Sequence, residues 1–407
     1  MAGNLETRPH TGLIALFVAV FATVLGVGMA VPLLPLFAHK LGGDGLHIGM
    51  LSAAFAFSRL VCAPWFGRRS DAGGRKRWIV GGLLLYGAIS ISLGQIANLT
   101  LLVAVRALHG VAGAMLMPLM QAYAGDVAPR GREGRVMGMY GAVALAGLGL
   151  GPVLGGFVND HAGAQIAFLV AGLLAAAGAV MCALWLPAAA ATREQTRERA
   201  TSWSTLLRHP AIPGLIVFRF CHVVCVGMVW AFLPLYATTT GALSSTTAGL
   251  VIGLGILCSG VLNVPMGTLA DRIDRRRLVL AGGLIGAGGI FFLGGAHGAA
   301  HFIVASVCFG VGGGVAIPAA MAMVARHGQH TSAMGAMMSL MTSVHSAGML
   351  TGAMLGGLVM DRFALASMFP LGAALLLGGT LVFAFASRTR TPRAAGMAPH
   401  ALPLSLH

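Results

Sequence analysis

Along the 407-residue chain, long apolar runs alternate with short polar connections that carry most of the arginines. Runs of 18 or more nearly uncharged residues are transmembrane-helix candidates, because about 20 residues of α-helix cross the hydrocarbon core of a bilayer. The pattern predicts twelve, at about 12–37, 46–66, 78–97, 99–124, 136–158, 163–187, 211–238, 246–268, 278–296, 299–325, 332–358 and 364–387. The first follows a neutral start (Glu6 against Arg8) and is too long for a cleaved signal peptide, so it reads as a retained helix. Composition agrees. With 57% hydrophobic and 9% charged residues, the chain cannot coat a soluble particle of its size. A mean hydropathy of +0.85 excludes disorder. The 60 glycines suit spans that must pack closely without a hydrophobic drive between them.

The formal charge of +15 invites a nucleic-acid reading until its placement is considered. One set of connections holds Arg68, Arg69, Arg75, Lys76 and Arg77, then Arg130, Arg132 and Arg135, then Arg193, Arg197, Arg199 and Arg208. It continues with Arg272, Arg275, Arg276, Arg277 and Arg326, and includes Arg8 and the tail residues Arg388, Arg390 and Arg393. The opposite connections hold only Lys40 and Arg362. By the positive-inside rule, both termini and the long central loop are expected in the cytoplasm, and no nucleic-acid partner is implied. Asn98-Leu99-Thr100 matches a glycosylation sequon but sits in a loop of a few residues. The six cysteines lie inside spans at no disulfide or metal-ligand spacing and read as small apolar residues.

The chain repeats itself near an offset of 200. Gly67, Asp71, Arg75 and Arg77 return as Gly267, Asp271, Arg275 and Arg277, and Leu34-Pro35-Leu36 returns as Leu233-Pro234-Leu235. Gly110 and Pro118 return as Gly310 and Pro318. Gly147, Gly151, Gly155, Gly156 and Asp160 return as Gly348, Gly352, Gly356, Gly357 and Asp361. Each half has six spans, an even number, so the halves share one orientation, as in transporters built from parallel repeats. The expected organisation is a six-helix bundle at 1–187, a cytoplasmic linker at 188–210, a second bundle at 211–387 and a tail at 388–407.

With these motifs the chain resembles the major facilitator superfamily, and most closely its twelve-span drug:proton antiporter branch, over essentially its whole length. Gly67, Asp71, Gly74, Arg75 and Lys76 match the loop motif between the second and third spans; Arg106 and Gly110 match the fourth-span motif. Gly147, Gly149, Gly151, Pro152, Gly155 and Gly156 match a fifth-span motif associated with antiporters, and Gly28, Pro32 and Pro35 resemble the branch's first-span signature. The chain departs from the family at Arg69 and Ala72, and in the second copy at Asp274, which stands where the motif has glycine. The resemblance implies an all-α fold of two pseudo-symmetric six-helix bundles. It also implies that Asp71 meets the eleventh span, that Arg75 reaches Asp126, and that Gly67, Asp71, Gly74, Arg75, Asp126, Gly267, Asp271 and Arg275 form a cytoplasmic gate. A carboxylate at such a place finds helix N-terminal dipoles and guanidinium groups, or simply solvent. Gly147, Gly151 and Gly155, at i, i+4 and i+8, make one smooth helical strip beside Pro152.

Inside the spans only Arg59, Arg106 and Arg219 are basic, and no Asp or Glu accompanies them. A charge at the bilayer centre costs about 2.5–3.5 kcal/mol on insertion scales, so each is a functional candidate by default. Arg106 and His109, and Arg219 and His222, share the pattern Arg-x-x-His, which places each pair on one helix face; His345 stands mid-span in the eleventh. A cationic cavity accepts an anionic or carboxylate-bearing substrate, and an imidazole can carry a proton near neutral pH. The same groups also serve as packed hydrogen-bonders, which leaves both roles open. Methionines around Met115–Met120 and Met334–Met341 suit either an adaptable cavity or ordinary packing.

The expectation is therefore a monomeric inner-membrane antiporter, multi-pass and without cofactor or metal. It would export a small anionic or zwitterionic molecule, a drug or a metabolite such as a siderophore, against protons. An uptake permease or anion exchanger of the same fold is the alternative, and a non-transporting sensor the third. No phosphate loop, metal cluster or nucleophile elbow suggests an enzyme.

Overall fold

A computed structural model describes residues 8–129, 132–187, 211–330 and 334–388; the linker at 188–210, the tail beyond 388 and the Asp71 side chain lie outside the described residues. Among these the chain is helical, without strands. The elements are α1 Arg8–Lys40, α2 Gly45–Gly73, α3 Arg75–Leu93, α4 Leu99–Ala114, α5 Met117–Asp126, α6 Glu133–Trp185, α7 Ala211–Thr239, α8 Ser245–Ala270, α9 Arg275–Leu293, α10 Gly298–His330, α11 Met334–Arg362 and α12 Met368–Ala386. Among the described residues, ten stretches are long and apolar enough to cross a membrane. One of them, within α6, is two spans, and α3, which begins with three basic residues, supplies the twelfth.

Helix starts are capped by side chains the sequence places there. Asp44 accepts from the His47 N–H at 2.8 Å and Asn98 from the Leu101 N–H at 3.0 Å. The carboxamide of the sequon residue is thus a helix cap. Ser244 caps α8, accepting from the Thr247 N–H at 3.2 Å.

Two boundaries differ from expectation. The fourth span breaks at Met115 and Leu116 into α4 and α5, because Pro118 at the start of α5 has no N–H to continue the ladder. The loop expected between the fifth and sixth spans shrinks to Gly163, whose φ of 83° suits glycine. The chain nonetheless reverses there. Added Cβ atoms at Gly147, Gly151 and Gly155 would meet Leu25, Gly28 and Met29 in rising order, whereas Gly178 and Gly172's neighbour Ala171 face Ala19 and Gly26 in falling order.

Among the described residues the two halves meet along one side only. The fifth span crosses α8 through Gly156 against Ser245, the Pro152 carbonyl against Gly249, Gly149 against Gly253, and Leu145 against Gly260. α2 crosses α11 through Gly45 against Gly357 and Gly49 against Ala353. These contacts begin at the arginine-poor face. Toward the arginine-rich face they stop: Gly67, Gly138, Gly141 and Gly267 have nothing within 4 Å of an added Cβ, and Val61, Val261 and Val264 are 58%, 71% and 75% exposed. Among the described residues the halves are closed at the arginine-poor face and apart at the other.

The Leu145 side chain occupies the place of a Cβ at Gly260, so a side chain there requires Leu145 to move. Gly260→Ala is therefore expected to lower the thermal-unfolding midpoint of the purified protein, and Leu145→Ala in the same chain to restore it. The pair is checked by a double-mutant cycle on that midpoint, in which additive effects would contradict the contact.

Candidate substrate site

The three in-span arginines occupy different surroundings. Arg106 on α4 is 2% exposed and lies under the Phe55 ring, 4.5 Å from its centroid. Its Nη1 donates to His109 Nδ1 at 2.9 Å. A guanidinium has no acceptor, so His109 accepts at Nδ1 and is the neutral tautomer with its hydrogen on Nε2. That nitrogen lies 3.2 Å from Ser90 Oγ, and the His109 ring, fully buried, sits 3.8 Å from the Tyr86 ring centroid. Neighbouring rings cover Arg106 and His109, and both imidazole nitrogens are engaged, while Arg106 Nε is buried without a partner.

Arg219 on α7 behaves otherwise. Its Nη2 donates to His345 Nδ1 on α11 at 3.2 Å, and both side chains are partly exposed. Its Nε is buried without a partner. The i, i+3 spacing places Arg219 on one helix face with His222; its hydrogen bond runs to a residue 126 positions away. Arg59 on α2, also partly exposed, lies 5.9 Å from the Phe55 centroid and interacts electrostatically with His345 and Tyr86. Arg219 of one half thus bonds His345, and Arg59 of the other half acts on the same imidazole electrostatically. None of the three in-span arginines forms a salt bridge to a carboxylate among the described residues.

His222 is 8% exposed, stacks on Phe309 with centroids 5.6 Å apart, and has a buried Nδ1 without a partner. It lines a cavity of about 180 Å³ between α7, α8 and α10, with Leu145 of the fifth span on its far wall.

At the arginine-rich end, Arg75 Nε donates to Asp126 Oδ2 at 2.6 Å, tying α3 to α5. Gly74, at φ 81°, makes the corner between α2 and α3. The second copy is built differently. Arg275 bonds its own segment, through Asp271 at 3.0 Å and the Ala270 carbonyl at 2.9 Å, and Asp274 caps α9 at negative φ. A turn of that form needs no glycine, which accounts for the departure at position 274.

A family model described as Major Facilitator Superfamily matches residues 16–242 and 215–405. The chain belongs to the major facilitator superfamily. It is 25% identical over 363 residues to an uncharacterised MFS-type transporter of Methanocaldococcus jannaschii, covering 88% of this chain and 93% of that one. Multidrug resistance protein 2 of Bacillus subtilis is 33% identical over 161 residues, 40% of each chain. The quinolone resistance protein NorA of Staphylococcus aureus is 32% identical over 145 residues, 36% of this chain and 37% of that one. Among solved structures, the nucleoside transporter NupG aligns with a TM-score of 0.73 over 93% of this chain and 99% of that chain, at 12% identity. A bacterial homologue of the human lysosomal transporter Spinster aligns with a TM-score of 0.76 over 95% of this chain and 96% of that one, at 12% identity. The two-bundle, twelve-span fold of this superfamily is the fold of the chain, which is a membrane transporter and not an enzyme.

In this superfamily member the fifth-span motif has two faces. Gly147, Gly151 and Gly155 receive α1, whereas Gly149, Pro152 and Gly156 receive α8 of the other half. The periodic strip shows only the first face in sequence. Sequence reasoning also leaves Asp160 and Asp361 as rim charges. Asp160 Oδ1 accepts from the Ser245 N–H at 3.0 Å, and its Oδ2 from the Thr246 N–H and Oγ1 at 2.7 and 2.6 Å. Asp361 accepts from the Gly45 and Leu46 N–H groups at 2.6 and 2.9 Å. Each carboxylate ends a span of one half and caps the second helix of the other. Their shared repeat offset is the signal that could single them out.

Proposed function

We propose that this transporter exports a small organic anion or zwitterion in exchange for protons, by alternating access, across the inner membrane. In this reading the arginine-rich face is cytoplasmic, both termini lie on that side, and the described conformation is open inward. The chain acts as a monomer. The observation that carries the substrate class is Arg219, bonded only to the His345 imidazole, with Arg59 acting on the same ring and no carboxylate in reach among the described residues. Two unneutralised guanidinium groups from opposite halves approach each other when the cavity closes. An anion between them removes that repulsion and bonds both forks. Relatives named for multidrug and quinolone resistance are consistent with export of a drug as well as of a metabolite such as a siderophore.

Exchange for protons draws on Asp160 and Asp361. As carboxylates they hold the outer side closed; a proton on Asp160 removes an acceptor and loosens that closure in the anion-free carrier. One observation favours the alternative, an uptake permease or anion exchanger. His345 beside Arg219 gains a proton most readily when an anion screens the guanidinium, which couples proton and anion in the same direction.

Purified protein in liposomes under an imposed pH gradient, offered anionic, neutral and cationic probes, tests both. Anions alone are expected to move, opposite to the protons. Arg219→Ala is expected to slow them at least tenfold, because truncating one side of a desolvated charge contact costs about 2–5 kcal/mol. Movement of cations alone with Arg219→Ala intact would overturn the substrate class. Anions moving with the protons would establish uptake.

A further inference from the structure

One cavity in the second half has the size and lining of a ring site. It holds about 180 Å³, and its walls are His222, Trp230, Ile252, Ile256 and Phe309, with Leu145 across the seam. Apolar cavities of about 150 Å³ take up benzene, so this one admits a single six-membered ring with little to spare. It is not purely apolar. His222 brings a buried ring nitrogen without a partner, and Ser259 lies on the same wall. Trp230 and the stacked His222–Phe309 pair offer ring faces and edges, which favour offset or edge-on contact with another aromatic ring.

Position supplies the second half of the inference. Arg219 precedes His222 by three residues on α7, about one helical turn nearer the arginine-rich end, which is the side on which the halves stand apart. A molecule entering from there meets the guanidinium before the cavity. We propose that the substrate is an aromatic acid, its ring held in the cavity beside His222 and its acid group on Arg219. This rests on the reading of Arg219 as the anion-binding group. Because Leu145 belongs to the fifth span and the other walls to α7, α8 and α10, the ring touches both halves at their seam. The bound ring therefore bears on the same contact, Leu145 against Gly260, that must part when the transporter turns over.

Gly313 gives the cavity a clean test. An added Cβ there meets only side-chain atoms, His222 Nε2 at 3.2 Å and Ser259 Oγ at 3.5 Å, so Gly313→Ala subtracts from the cavity without striking backbone. Val226→Phe fills it from α7 and stands in should Gly313→Ala fail to fold. Isothermal titration of the purified full-length protein with benzoate, acetate and benzyl alcohol reads the two halves of the site separately. Benzoate is expected to bind at least tenfold more tightly than either acetate or benzyl alcohol. Gly313→Ala and Val226→Phe are expected to bring benzoate down to the level of acetate while acetate itself is unchanged. Arg219→Ala is expected to weaken benzoate and acetate alike. Equal binding of benzoate and acetate by the native protein, or an unchanged ratio in both cavity variants, overturns the ring site. If Arg219→Ala leaves both acids unaffected, the anion reading itself fails, a result distinct from loss of the ring preference.

Discussion

Gly249→Val is expected to abolish transport while the protein still inserts and purifies as a single species. The Pro152 carbonyl lies where a Cβ at Gly249 would be, and the next atoms in reach are the Pro152 carbonyl carbon and the Val153 nitrogen. All three are backbone, so no rotamer change relieves the collision. Ordinary contact would require α8 and the fifth span to separate by more than an ångström along the seam that closes the arginine-poor face. Packed interfaces do not deform continuously, so the expected response is a shift to the other arrangement of the halves. Spin labels at His161 and Thr240, on opposite sides of that seam, in a chain whose native cysteines have been replaced, read the outcome as a longer distance. Gly288→Val is the matched control, since nothing lies within 4 Å of a Cβ there. Transport retained by Gly249→Val would mean that the seam is not obligatory.

The spans are legible because lipid leaves a chain few choices: backbone groups must be satisfied internally, so apolar runs are helices. Pro118 announces the break in the fourth span, but a window of hydropathy is blind to a single missing N–H. The closed turn at Gly163 is hidden for a similar reason, because one residue in the left-handed region does what a polar loop usually does. At the site, sequence treats Arg106-x-x-His109 and Arg219-x-x-His222 as equals. Helical spacing says which residues share a face and nothing of what that face meets. Phe55, Tyr86 and Ser90 cover the first pair, while α11 brings His345 to Arg219. Contacts between residues more than a hundred positions apart carry no local signature. For Asp160 and Asp361 the repeat offset marks the residues, but the helices they cap, α8 and α2, emerge only once the two bundles are set against each other.

Those two caps support the prediction with the next largest effect. The double variant Asp160→Asn, Asp361→Asn is expected to open the arginine-poor face and to remove its response to acid. Each native carboxylate uses both oxygens as acceptors from helix N-terminal N–H groups. Asparagine is nearly isosteric but replaces one acceptor with a donor, so one N–H in each cap loses its partner. Both sites are solvent-exposed, which trims the charge-assisted bonds to about 1 kcal/mol each. Together they amount to about 2 kcal/mol, or roughly a thirtyfold change in the ratio of closed to open forms. The sign with pH follows from which form makes the bonds. Burial raises the Asp160 pKa, but the bonds from Thr246 and Ser245 outweigh it and lower the value. The carboxylate stabilises closure above that pKa and loses the contribution as pH falls through it, because a protonated oxygen donates where it should accept. Asp44 is a separate group: its bonds from the His47 N–H and ring, at 2.8 and 2.6 Å, hold it below the ordinary carboxylate value and serve α2 alone. Distances between labels at His161 and Thr240, followed from neutral to acid pH, should lengthen in the native chain. In the double variant they should start long and stay so. If the double variant keeps the native distance and its acid response, closure belongs to the glycine seam alone, and the exchanged proton must be carried deeper in the membrane, at His345.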